Sequence, residues 1–142
     1  IAKNHGLWVV EDNAQGIDGY GAGFKQGELS DAVCTSFITQ KNLGTFGDGG
    51  ATLSNNAELI DTIKRLRNHG SAARSKHSYG FNSRLDEIQA AILNVKLARL
   101  DEFNARRAGI ARRYDEWLAG TSLVLPKAHG RGPAAALRAA FP

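Results

Sequence analysis

Apolar positions fall along this chain first in short runs and then in helical stripes. Leu7-Trp8-Val9-Val10 is a four-residue run expected to be a short buried strand, with Glu11-Asp12 at its carboxyl end. From Gly16 to Ser30 the chain is rich in glycine and polar residues and predicts a loop with turns. A second run, Ala32-Val33-Cys34-Thr35-Ser36-Phe37, has the β-branched content of a buried strand, and Ala51-Thr52-Leu53-Ser54 is extended again.

Beyond residue 54 the period changes. Asn55 as cap with Glu58 three residues on predicts a helix start, and Leu59, Ile63 and Leu66 define its buried stripe before Gly70 ends it. Residues 71–81 are polar and predict an exposed loop. Ser83 as cap, with Asp86 in the first turn, predicts a second helix. Its stripe of Leu85, Ile88, Ile92 and Val95 is widened by Leu93, Leu97 and Leu100, which implies burial on more than one side. A third helix over about 102–119 carries Phe103, Ile110, Tyr114 and Trp117 as its apolar positions. Residues 121–142 predict an irregular or aberrant tail, because the Gly, Ala and Arg-rich stretch after Pro126 has no usable period.

Composition narrows the choice of function class. With 142 residues, 42% of them hydrophobic, the chain can build one real core. Its net charge of +4 is spread over helical stretches such as Arg106-Arg107 and Arg112-Arg113, a solvated face and no nucleic-acid surface. The lone Cys34 excludes an internal disulfide, suits a reducing cytoplasm and reads as a buried, inert thiol. No apolar run reaches the length of a membrane-spanning helix. The opening lacks the regions of a signal peptide and the chain has no Met, so it is expected to begin inside a larger protein. His5, His69, His77 and His129 are scattered and no Cys/His spacing fits zinc, so no metal is expected.

The candidate chemistry lies between the strands at 32–37 and 51–54. There a single lysine, Lys41, precedes four glycines: Gly44, Gly47, Gly49 and Gly50. Glycines behind a lysine let a ligand approach the backbone, which suits a covalent carbonyl site. The order matches neither a Walker A loop nor a dinucleotide-binding fingerprint. Taken alone, Lys41 reads more readily as a solvated loop residue and Asp12 as a helix cap or loop acid. Together with Ser36 they form a set of the kind pyridoxal phosphate needs. The amine forms a Schiff base with the aldehyde, a carboxylate keeps the ring nitrogen protonated, and a hydroxyl anchors the phosphate.

Specific motifs carry a family likeness. Glu11-Asp12-Asn13-Ala14-Gln15, Ser36-Phe37 with Lys41-Asn42-Leu43-Gly44, and Gly47-Asp48-Gly49-Gly50 resemble the DegT/DnrJ/EryC1/StrS family of sugar aminotransferases. Arg67-Asn68-His69-Gly70, residues 80–87 and Leu97-Ala98-Arg99-Leu100-Asp101 add to it, so the resemblance covers about 1–120. Two departures stand out: Ile38-Thr39-Gln40 where members often have Tyr-Pro-Thr, and Asn13 for a usual alanine.

The resemblance implies an α/β fold, a partial large domain of the pyridoxal-phosphate-dependent transferase fold type I, followed by long helices. Residues 1–120 would be the central part of that domain. It also implies that Lys41 is the Schiff-base lysine, Asp12 the partner of the ring nitrogen, Gln15 a neighbour of the ring near its 3′-oxygen, and Ser36 a phosphate ligand. Asn82 would reach the phosphate of a neighbouring subunit, since members are homodimers with shared active sites. Related sugar dehydratases carry histidine where Lys41 stands. The implied reaction is ping-pong in the cytoplasm. An amino acid, glutamate or glutamine, leaves its amine on the cofactor, and a nucleotide-linked keto-deoxysugar collects it, with a lean toward C3. The competing reading is a catalytically silent fragment, or an interaction module built on the long helices.

Overall fold

The computed structural model describes residues 1–21, 24–73 and 76–126, so most of the predicted tail lies outside the described residues. A single 3-10 turn, Ala2–His5, is closed by Gly6 in the left-handed conformation (φ 61°), the helix end that the opening residues suggest. Five strands follow: β1 (Val10–Asp12), β2 (Tyr20–Gly21), β3 (Phe24–Lys25), β4 (Ala32–Ser36) and β5 (Gly50–Leu53). Three helices follow among the described residues: α1 (Ala57–Leu66), α2 (Glu87–Leu97) and α3 (Leu100–Trp117).

The main sheet has the order β1-β4-β5. β1 runs parallel to β4 with Asp12 opposite Cys34, and β4 runs antiparallel to β5 with Ser36 opposite Gly50. A small antiparallel ladder, β2–β3, stands where only loop was expected. The first strand is shifted from its predicted place. It starts at Val10 and takes in Glu11 and Asp12, whereas Leu7, Trp8 and Val10 are exposed. The physical reason is that β1 is an edge strand with a partner on one side only. Its entry is fixed by polar contacts: the Val9 N–H donates to Asp31 Oδ2 at 2.7 Å, and Val9 O accepts the Asp31 N–H at 2.9 Å.

The helix starts also correct the pattern. Asn56, and not Asn55, caps α1, its Oδ1 accepting the Leu59 N–H at 3.0 Å, so the box with Glu58 does not form. α1 ends at Leu66, four residues before Gly70, and its Leu59, Ile63 and Leu66 are only half-buried. Ser83 caps nothing. Residues 81–83 pair with the chain leaving α1 (Phe81 N to Leu66 O, 2.7 Å; Ser83 N to Arg67 O, 2.8 Å), which holds them extended and delays α2 until Asp86.

The core sits beside the lysine loop. Leu43 packs with Leu93 and Leu100, with Ile17, Phe37 and Leu85 around them. The inward stripe of α2 is therefore Gln89, Leu93 and Lys96, continued by Leu100, while the predicted Ile88 and Val95 are exposed. α3 likewise turns Leu100, Asn104 and Ala108 inward and leaves Ile110, Tyr114 and Trp117 outside. Leu85, Leu93 and Leu100 thus meet the core as expected, while the rest of the α2 row and most of the α3 row do not, because polar side chains occupy inward positions.

Candidate active site

Strand register brings two of the predicted residues to one place. Asp12 and Ser36 end the neighbouring parallel strands β1 and β4. Asp12 stands opposite Cys34, two residues before Ser36, so strand alternation puts all three on one face of the sheet. The Cys34 sulfur lies 3.7 Å from Thr52 Oγ1 on that face. The opposite face carries Glu11, whose Oε2 accepts from the Gly27 N–H (2.8 Å) and the Ser30 hydroxyl (3.2 Å). Of the two consecutive acids, one is thus absorbed by structure.

Asp12 remains available. Its Oδ1 accepts the Ala14 N–H at 3.0 Å, which opens the turn carrying Gln15, and Oδ2 has no hydrogen-bond partner among the described residues. The Ser36 hydroxyl accepts only the Ile38 N–H, at 3.4 Å, leaving its proton for another acceptor. The Lys41 N–H donates to Ile38 O (2.9 Å) in the turn after β4. Its side chain is half-buried, with no ion pair or hydrogen bond among the described residues. A Cβ on Gly44 would sit 2.5 Å from Thr39 O and 2.7 Å from Ile38 O, so this turn can close only over glycine.

Two buried polar atoms neighbour these residues in sequence, Asn13 Oδ1 and Asn42 Nδ2, and neither has a hydrogen-bond partner among the described residues. Asn13 Oδ1 faces the turn at Gly16, where an added Cβ would meet it at 2.8 Å, and so belongs to that turn. The free amine, the free carboxylate oxygen and the hydroxyl proton make a donor and acceptor set of the kind that fits pyridoxal phosphate. Gln15 and Asn82 are not joined to the set by any hydrogen bond among the described residues. Asn82 is exposed and bridges Asn68 at the end of α1. There Arg84 donates to Asn68 Oδ1 (3.0 Å) and lies 3.3 Å from His69 Nε2, so the 67–70 and 80–87 motifs meet in space.

The model of the DegT/DnrJ/EryC1/StrS aminotransferase family matches residues 1–139. The chain belongs to this family. Its match runs past the 1–120 stretch that the motifs span, into residues outside those described. Among relatives of this family, the erythromycin biosynthesis sensory transduction protein EryC1 of Saccharopolyspora erythraea is 44% identical over 131 residues, 91% of this chain and 36% of that protein. The dTDP-3-amino-3,4,6-trideoxy-alpha-D-glucose transaminase of Streptomyces venezuelae is 46% identical over 121 residues, 84% of this chain and 32% of that enzyme. The crystal structure of S. venezuelae DesV in complex with a ketimine intermediate superposes with a TM-score of 0.77 at 45% identity, over 89% of this chain and 33% of that one. The α/β fold is that of these aminotransferases. The chain spans about a third of the length of the curated relatives it matches.

Residues absent from the predicted set are Thr45, Gln89, Lys96 and Asn104. Thr45 and Asn104 are fully buried, and Asn104 Nδ2 donates to Asp18 Oδ2 at 3.4 Å across the core. The signal for Gln89 and Lys96 was available in their spacing from Leu93, since both fall on its helical face.

Proposed function

We propose that residues 1–120 are the central part of the large domain of a pyridoxal-phosphate-dependent aminotransferase acting on a nucleotide-linked keto-deoxysugar. The observation that carries this reading is the placement of Asp12 and Ser36 at the ends of two adjacent parallel strands, with the unpaired Lys41 amine in the turn that follows. Strand ends of this kind are where α/β sheets hold their ligands.

When bound, pyridoxal phosphate supplies an aldehyde and a ring that takes up electrons from the substrate carbon. Lys41 Nζ would bind that aldehyde covalently and, once released, would move a proton between carbons. Asp12 Oδ2 would hold the proton on the ring nitrogen, the opposite charges supporting each other. The Ser36 hydroxyl anchors the phosphate, Gln15 flanks the ring, and Asn82 reaches the phosphate of a neighbouring subunit in a homodimer. The donor is glutamate or glutamine, and the enzyme works in the cytoplasm. The relative named for a 3-amino sugar favours amination at C3.

Incubation with pyridoxal phosphate, borohydride reduction and peptide mass spectrometry tests the first part. The cofactor is expected on Lys41, and its absence there would overturn the reading. For the sugar, the whole protein is assayed against nucleotide-linked 3-keto and 4-keto sugars, with turnover expected for the 3-keto set. The name of the EryC1 relative, a sensory transduction protein, favours a second reading as a catalytically silent interaction module. Reaction at Lys41 followed by amine transfer decides against it.

A further inference from the structure

The loop that carries Lys41 is pinned at its stem by one residue. The Phe37 N–H donates to Gly49 O, and Phe37 O accepts the Thr45 N–H, both at 2.7 Å. Above that stem the outer limb, residues 44–46, is held by α2 side chains. Gln89 Oε1 accepts the Phe46 N–H at 3.1 Å, and Gln89 Nε2 donates to Phe46 O at 3.4 Å. The Thr45 hydroxyl donates to the same Oε1 and lies 3.4 Å from Gln89 O. Two turns further on, Lys96 Nζ donates to Gly44 O.

A side-chain amide that pairs with both the N–H and the C=O of one residue reproduces the two-bond ring of an antiparallel strand pair. The loop thereby gains a strand partner without a strand. Stability alone does not call for glutamine here: Gln89 is half-buried, its bonds to Phe46 stand at the surface, and the next inward position of α2 is leucine at 93. Glutamine brings direction: it fixes where residues 44–46 lie relative to the stem, and so the backbone from which the Lys41 side chain springs. We infer that Gln89 is a positioning residue for the Lys41 amine, acting through Thr45 and Phe46. This rests on the reading of Lys41 as the cofactor-binding lysine.

The test compares the whole chain with Gln89→Leu, which keeps volume and removes every side-chain hydrogen bond at this position, and Gln89→Glu, which keeps the accepting oxygen and loses the donor. Amide exchange is measured without cofactor. Gln89→Leu is expected to speed exchange at Phe46 about tenfold, the cost of one such hydrogen bond, with Val33–Thr35 unchanged. Gln89→Glu is expected to stay within about threefold of the parent, as one weak bond is lost. Pyridoxal phosphate followed by borohydride is then expected to label Lys41 several-fold less in Gln89→Leu, with Lys64 and Lys76 unaffected and Gln89→Glu restoring most of the label.

Unchanged exchange at Phe46, or an unchanged label at Lys41, in a folded Gln89→Leu chain would overturn the inference. If that variant loses protection in β4 as well, Thr45→Val carries the decision by the same two readouts. No label at Lys41 in the parent would instead overturn the Lys41 reading and the functional half of this one. Exchange at Phe46 would still report the clamp.

Discussion

The limb from Leu43 to Thr45 and the outer stripe of α3 treat their side chains in opposite ways. Around the loop a threonine is entirely buried, and a leucine is 4% exposed. Along α3 the tryptophan at 117 is 70% exposed, and Tyr114 and Ile110 are more than half exposed. Burial in this chain does not follow hydrophobicity: Thr45 and Asn104 are fully enclosed, and the largest apolar side chains of α3 stay outside.

That contrast can be broken most severely at the amine itself. Lys41→Ala is expected to remove cofactor labelling and to lower amine transfer by four or more orders of magnitude, on the scale of losing a covalent nucleophile. A variant that keeps either would show that the enclosure serves something else. Next comes the packing behind the loop. Leu93→Ala is expected to cost about 2–5 kcal/mol, read as a lower denaturant midpoint. Trp117→Gln removes a larger side chain and is expected to stay within about 0.5 kcal/mol. Equal losses from these two would dissolve the comparison.

Asp12→Asn sharpens it at the other strand end. The amide cannot carry the charge that holds a ring proton, so transfer is expected to fall roughly a hundredfold, with the denaturant midpoint unmoved. Asn104→Ala leaves Asp18 Oδ2 without its partner and is expected to cost about 1–2 kcal/mol. The smallest effect on stability accompanies a visible one on association. The isolated chain is expected to self-associate through its exposed apolar residues, and Trp117→Gln with Tyr114→Gln to shift size-exclusion elution toward the monomer.

The sequence was legible wherever a local rule acted. The β4 run and the extended run into β5 follow from short-range pattern and stand as expected in the fold. Cap positions slipped by one residue at Asn56 and by three at Asp86, because side-chain caps compete with pairing that only the tertiary fold reveals, as at Ser83. The inward faces of α2 and α3 were hidden for a related reason. Gln89, Lys96 and Asn104 are polar, and a search for apolar stripes passes over polar residues whose partners lie 44, 52 and 86 positions away. Those distances cannot be read from period.

The antiparallel pairing of β4 with β5 has a kinetic consequence. Closing residues 37–49 into a hairpin loop costs less chain entropy than the 22-position reach that docks Asp12 beside Cys34, and far less than the 44-position reach to Gln89. On chain entropy alone the lysine's turn is expected to form first, the acid to arrive second, and the helix that clamps the loop to set last. A chain emerging from the ribosome would hold its amine in outline before the group that fixes its aim had been made.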